Sequence, residues 1–273
     1  MADDATRAEG EFKRGWPVVF SAAIGIGLGL SPLPFYTIGV FVGPLSQPIE
    51  AGGLGLSPAQ IMLALPVYTI GALIMSPIIG FLADRVGVRR VAIISIVMFS
   101  LSLALLGLNT GSLPLFVATW AFMAVAGAGT LPITFTRAVN NWFFEKRGVA
   151  LGMALIATGL YGALAKLLAQ QVTSEFGWRA GYMAVALLPL LISLPVALVA
   201  FRDVRDKPAA EALTTRLKPL LMAIALVCGL ALAAAAFAFV IPQIQARGPR
   251  PELIIALIFA VLSILPLLGL AFG

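Results

Sequence analysis

Long apolar runs alternate with short charged ones along the whole chain. A bilayer-crossing helix takes about 20 mostly apolar residues. Eight runs meet that length: 17–44, 59–82, 90–109, 113–138, 148–170, 180–201, 218–242 and 252–273. None alternates polar and apolar residues, and each is about twice the length of a barrel strand or more, so the pattern predicts helices and not a transmembrane β-barrel. Several runs carry glycine and proline, such as Pro32 and Pro34 in the first. In lipid these are tolerated where neighbouring helices satisfy the freed backbone groups. The expectation is an all-α polytopic membrane protein.

Composition agrees. Of the 273 residues 60% are hydrophobic and 11% charged, where a soluble domain has roughly a quarter charged. The charges are placed unevenly. With the N-terminus inside, fourteen of the eighteen Lys and Arg fall on the inner side and three (Arg179, Arg247, Arg250) outside, with Lys166 left in a span. Positive residues favour the cytoplasmic side. The net charge of +6 therefore reads as topology, with no nucleic-acid partner. An integral inner-membrane protein with a cytoplasmic N-terminus is expected, without a cleaved signal peptide. The chain has no histidine, and its single cysteine, Cys228, lies in an apolar run. No cofactor or metal site is expected, and no nucleophile–base pair that would make an enzyme.

Between the second and third spans the chain reads Gly80-Phe-Leu-Ala-Asp84-Arg85-Val-Gly87-Val-Arg89-Arg90. This resembles the loop signature of the major facilitator superfamily, G-x-x-x-D-R-x-G-x-R-R, in the topological place where that family carries it. The segment from Asn140 through Arg147 to Met153, and Gly177-Trp178-Arg179 before the sixth span, look like landmarks of the oxalate/formate-exchanger and monocarboxylate-porter-like branch. The resemblance implies a twelve-helix bundle in two halves with a substrate site between them. Residues 1–16 would then be a cytoplasmic tail, 17–201 the six-helix N-terminal half, 202–217 a cytoplasmic linker, and 218–273 helices 7 and 8. Two matches support the last assignment: Pro58 to Gly80 and Pro251 to Gly273 are both 22 residues, and Phe41-Val-Gly-Pro44 parallels Phe239-Val-Ile-Pro242. On this placement the chain looks truncated after helix 8.

In the loop motif Gly80 and Gly87 permit close approach and a tight turn. Asp84, the one acid among three arginines, is expected to accept from Arg85 or Arg89 or to sit at a helix N-terminus, and the motif from Gly80 to Arg90 to act as a cytoplasmic gate. Inside the spans the ionisable candidates are Lys166 and, near an inner end, Arg137. Lys166 shares a helical face with Gly152, Gly159 and Gly162. Arg137 continues a polar stripe through Thr130, Thr134 and Asn141. Gly25, Gly29, Pro32 and Tyr36 make a similar stripe on the first span, and Tyr161 lies near Lys166. Lys166, Arg137, Tyr36, Tyr161, Thr130 and Thr134 are the substrate-binding candidates.

All twelve acids lie in termini or loops. A basic, acid-free membrane interior predicts a transporter of a small organic anion working by alternating access. It disfavours drug/proton antiport, as does Met123 standing where that group of the family places an arginine. The alternative is a truncated, non-transporting remnant or a membrane interaction protein.

Overall fold

The computed structural model describes residues 2–201. The linker 202–217, the runs 218–242 and 252–273 and their repeat matches lie outside the described residues. Nine α-helices occur among the described residues. They are α1 (Ala2–Gly27), α2 (Pro32–Ser46), α3 (Pro58–Met62), α4 (Ala64–Val86) and α5 (Val88–Gly107). Then come α6 (Leu113–Ala126), α7 (Pro132–Trp142), α8 (Arg147–Leu188) and α9 (Leu194–Ala200). A π-helical stretch, Pro189–Ser193, joins the last two. The fold is an all-α polytopic bundle, as the apolar pattern predicts.

By length and composition four stretches can cross a membrane: Arg14–Ser46, Pro58–Val86, Val88–Gly107 and Arg147–Ala200. The six runs expected here map onto these and onto α6–α7, with two differences. The fourth run is two helices, because the chain bends at Gly127–Leu131 and Pro132 opens α7. The fifth and sixth are continuous in helical hydrogen bonding but reverse at Gly177, where φ is +84°. Gly181 packs against Thr173 Oγ1. Eight residues of straight helix would separate the two by about 12 Å, so the chain folds back there. The fifth span therefore runs to about Phe176, six residues beyond the expected end at 170.

The first span also breaks, between Gly27 and Pro32. Prolines 32 and 34 lack the N–H that would bond the carbonyls four residues back, those of Leu28 and Leu30. The structure supplies substitutes from other spans. Tyr68 Oη on α4 donates to the Leu30 carbonyl at 2.6 Å, taking the place of the missing Pro34 N–H. The Leu30 N–H donates to Thr130 Oγ1 at 2.8 Å, and Thr130 Oγ1 donates to the Gly127 carbonyl at 2.7 Å, closing the bend of the fourth span. Glycine makes the approach possible: a side chain on Gly29 would lie 2.6 Å from the carbonyls of both Gly25 and Thr130.

Two apolar clusters meet at these breaks. One, toward the N-terminal end of α1, gathers Ile26, Val91, Ile96, Phe135, Val139 and Phe143. The other gathers Leu30, Phe41, Phe99, Trp120 and Tyr182, with Phe41 and Tyr182 stacked at 3.8 Å between centroids. At the far end of the bundle Trp178 Nε1 donates to the Gly52 carbonyl at 2.8 Å. Arg179 reaches the same carbonyl at 3.3 Å and that of Asn109 at 3.4 Å, with its guanidinium 4.2 Å above the Trp178 ring. The Gly-Trp-Arg landmark thus ties together the loops that follow spans 1, 3 and 5.

A buried backbone group without a partner costs about 1–3 kcal/mol. Tyr68→Phe and Thr130→Val should each destabilise the detergent-solubilised chain by about 1–3 kcal/mol, read as a lower apparent melting temperature, with Thr130→Ser close to wild type. Unchanged melting of both removal variants would contradict the tie at Leu30.

Candidate functional site

Helix ends and sequence spacing place the charged candidates at three levels of the bundle. At the end where α1 begins lies the loop motif. Gly87 forms the one-residue turn between α4 and α5 with φ +93°, a conformation that side chains resist. The sequence points Asp84 at Arg85 or Arg89, and the structure corrects this. Asp84 pairs with Arg137, on α7, and the other guanidinium nitrogen of Arg137 donates to the Gly80 carbonyl at 3.2 Å. Arg85, next to Asp84 in sequence, lies instead over the Phe81 ring one turn back, 4.3 Å from its centroid. Arg89 turns the other way and donates to the Leu198 carbonyl near the end of α9, where a helix leaves carbonyls unpaired. Arg147 Nε donates to Asn140 Oδ1 at 2.7 Å, tying α8 to α7.

At the middle level the polar stripes of spans 1 and 4 face each other. Gly25 packs under Phe135 and Gly29 against Thr130. Thr130 is fully buried, and its hydroxyl both accepts from Leu30 and donates to Gly127. Thr134 is also buried, its hydroxyl without a partner. These two threonines line the joint between helices, and Arg137 is drawn into the loop motif.

The third level lies between the breaks and the far end. Two tyrosines cross reciprocally between spans 1 and 5: the Tyr36 ring lies on Gly162, and the Tyr161 ring on Gly27. Tyr36 Oη stands 3.8 Å from where a Gly159 side chain would begin. One turn further along the same face is Lys166, exposed and without a partner among the described residues. Gly177 is eleven residues beyond Lys166, about 16 Å of helix, and Arg147 nineteen residues before it, about 28 Å. Gln170, exposed and also without a partner there, follows Lys166 by four residues and so neighbours it. Gln170 is not among the candidates named from the sequence; its signal was the four-residue step from a lysine within an apolar run. Residues 15–201 hold only four acids, Glu50, Asp84, Glu145 and Glu175, and none lies within this third level. Among the described residues no group of acids, cysteines or histidines is placed to hold a metal.

The described residues thus form a bundle of apolar helices in which spans 1 and 4 are interrupted and span 5 carries an unpaired cation. The chain matches the family model of the Major Facilitator Superfamily over residues 15–273 and belongs to that superfamily. It is 28% identical over 175 residues to YfiU, an uncharacterised MFS-type transporter of Bacillus subtilis strain 168, covering 61% of this chain and 32% of that protein. It is 27% identical over 165 residues to the hexuronate transporter of the same strain, covering 60% and 38%. It is 27% identical over 190 residues to the multidrug export protein EmrB of Haemophilus influenzae, covering 68% and 36%. The matched stretches span about a third of the length of these relatives.

The Asp84–Arg137 pair is part-exposed, with side chains 57% and 39% accessible, so its contribution to stability is about 0–1 kcal/mol. Arg137→Gln should destabilise more than Asp84→Asn, because it also frees the Gly80 carbonyl. The double variant should melt no lower than Arg137→Gln alone. Additive losses in melting experiments would contradict a direct pair.

Proposed function

We propose that the chain carries part of a transporter for a small organic anion, with Lys166 as the charge that receives the substrate. The observation that carries this reading is an unpaired, exposed ammonium group within the fifth apolar span, with no carboxylate at its level among the described residues. An uncompensated lysine at mid-membrane costs about 2.5–3.5 kcal/mol, so the position makes sense where water and an anion reach it. Gln170, one turn beyond the lysine, offers a hydrogen bond to the rest of the ligand; the Tyr36 ring on Gly162 and Tyr161 shape the wall below it. The reading includes alternating access between this bundle and a second half, with the Asp84–Arg137 pair closing the end that faces the cytoplasm, where the N-terminus lies. The landmarks at Asn140–Met153 and Gly177–Arg179 support a place near the oxalate/formate-exchanger and monocarboxylate-porter-like branch.

The relatives divide between a hexuronate transporter and a multidrug exporter, and the charge pattern supports the anion. Met123, at the position where an arginine would be expected for drug/proton antiport, is fully buried in the core. The anion reading is favoured accordingly.

The test is uptake of radiolabelled mono- and dicarboxylates, hexuronates included, by cells expressing the encoded protein. A charge-assisted hydrogen bond contributes about 1.5–3 kcal/mol. Lys166→Gln should therefore lower kcat/KM for the transported anion about 10- to 150-fold, and Lys166→Arg should retain part of it. Uptake unaffected by Lys166→Gln, or export of a cationic dye in place of anion uptake, would overturn the proposal.

A further inference from the structure

The three arginines of the loop motif have separate surroundings, and two of them are left with unused charge. Arg89 is turned inward onto the Leu198 carbonyl. The charge of Asp84 is answered by Arg137. Arg85 is exposed and makes only its contact with the face of Phe81, which leaves its N–H groups free. Arg90 is exposed with no partner among the described residues.

Each of these two arginines stands at the end of an exposed apolar stripe. On α4 the stripe runs Ile70, Ile74, Ile78, Phe81 and ends at Arg85, in steps of four, four, three and four. On α5 it runs from Arg90 through Ile94, Leu101, Leu105 and Leu108, the four apolar members being 46–63% exposed. Steps of three, four and seven keep one side of a helix. A row of exposed apolar side chains along a whole span is a surface for acyl chains, and a cation at its end lies at headgroup depth. Arg85 and Arg90 stand on either side of the single-residue turn at Gly87, so each stripe ends in a cation at the same end of the bundle.

We propose that Arg85 and Arg90 form a binding site for the phosphate of an anionic phospholipid, whose acyl chains lie along the stripes of α4 and α5. Charge complementarity selects the occupant: two free guanidinium groups, no free carboxylate between them, and apolar surface directly beneath. A zwitterionic lipid would bring its own cation against the pair. The site is separate from Lys166 and does not depend on what the protein transports.

Native mass spectrometry of the purified full chain, with phosphatidylglycerol or phosphatidylcholine added to the micelles, tests this. Wild type should retain phosphatidylglycerol at least tenfold more than phosphatidylcholine. Arg85→Gln/Arg90→Gln should lose that preference, while Arg14→Gln, which removes an exposed charge at the same end, should keep it. Melting in phosphatidylcholine alone checks that the variants fold; should the double variant not fold, each single variant should show a several-fold loss. Equal retention of both lipids by wild type, or an equal loss in Arg14→Gln, would overturn the site. Displacement of phosphatidylglycerol by millimolar inorganic phosphate would show that a soluble anion suffices, and would overturn the lipid as its occupant.

Discussion

A backbone carbonyl or amide in the membrane interior must find a partner within the protein, because the lipid offers none. Leu30 is where that constraint shapes this molecule. Prolines 32 and 34 interrupt span 1 at mid-depth, and the freed polar groups of Leu30 draw Tyr68 from span 2 and Thr130 from span 4 onto one residue. The bend of span 4 is closed by the same threonine. Three spans are thereby held in register at one level, and the two apolar clusters meet there.

The position of the lysine follows from this joint. With the inner part of span 1 held against span 4, the glycines and threonines of both stripes are occupied in packing. Beyond the break Tyr36 swings over Gly162 of span 5. The face of α8 that continues past Gly162 then carries Lys166 and Gln170 outward. Charge is sorted along the bundle as well. At the end where α1 begins, every acid–base contact described serves to join helices. At the level of Lys166 a cation stands without an answering acid. A protein that stabilised itself by burying paired charges would have placed a carboxylate there; the proposed anion reading rests on its absence.

Much of this was legible in the sequence. The apolar runs fixed the class and most of the spans, and the motif from Gly80 to Arg90 placed the turn at Gly87. Lys166 stood out because so few charges interrupt the spans. The breaks were harder to see. Pro32 and Pro34 signal a freed carbonyl, but which distant hydroxyl answers it depends on how spans 1, 2 and 4 cross. For the same reason Thr130 looked like a polar lining residue when its hydroxyl is held by backbone. The partner of Asp84 was misplaced because sequence neighbours Arg85 and Arg89 are near in number, while Arg137 is near in space through the parallel packing of α4 and α7. The reversal at Gly177 was expected as a loop and formed within continuous helical bonding.

The central claim, that Lys166 faces water and a ligand at membrane depth, is tested most directly by cysteine accessibility. In a Cys228→Ser background, Lys166→Cys is treated with a membrane-impermeant maleimide, beside Ile94→Cys on the apolar stripe of α5. The account predicts labelling at 166, slowed by a transported organic anion, and little at 94. Labelling at 166 as slow as at 94 would place the lysine against lipid and contradict it.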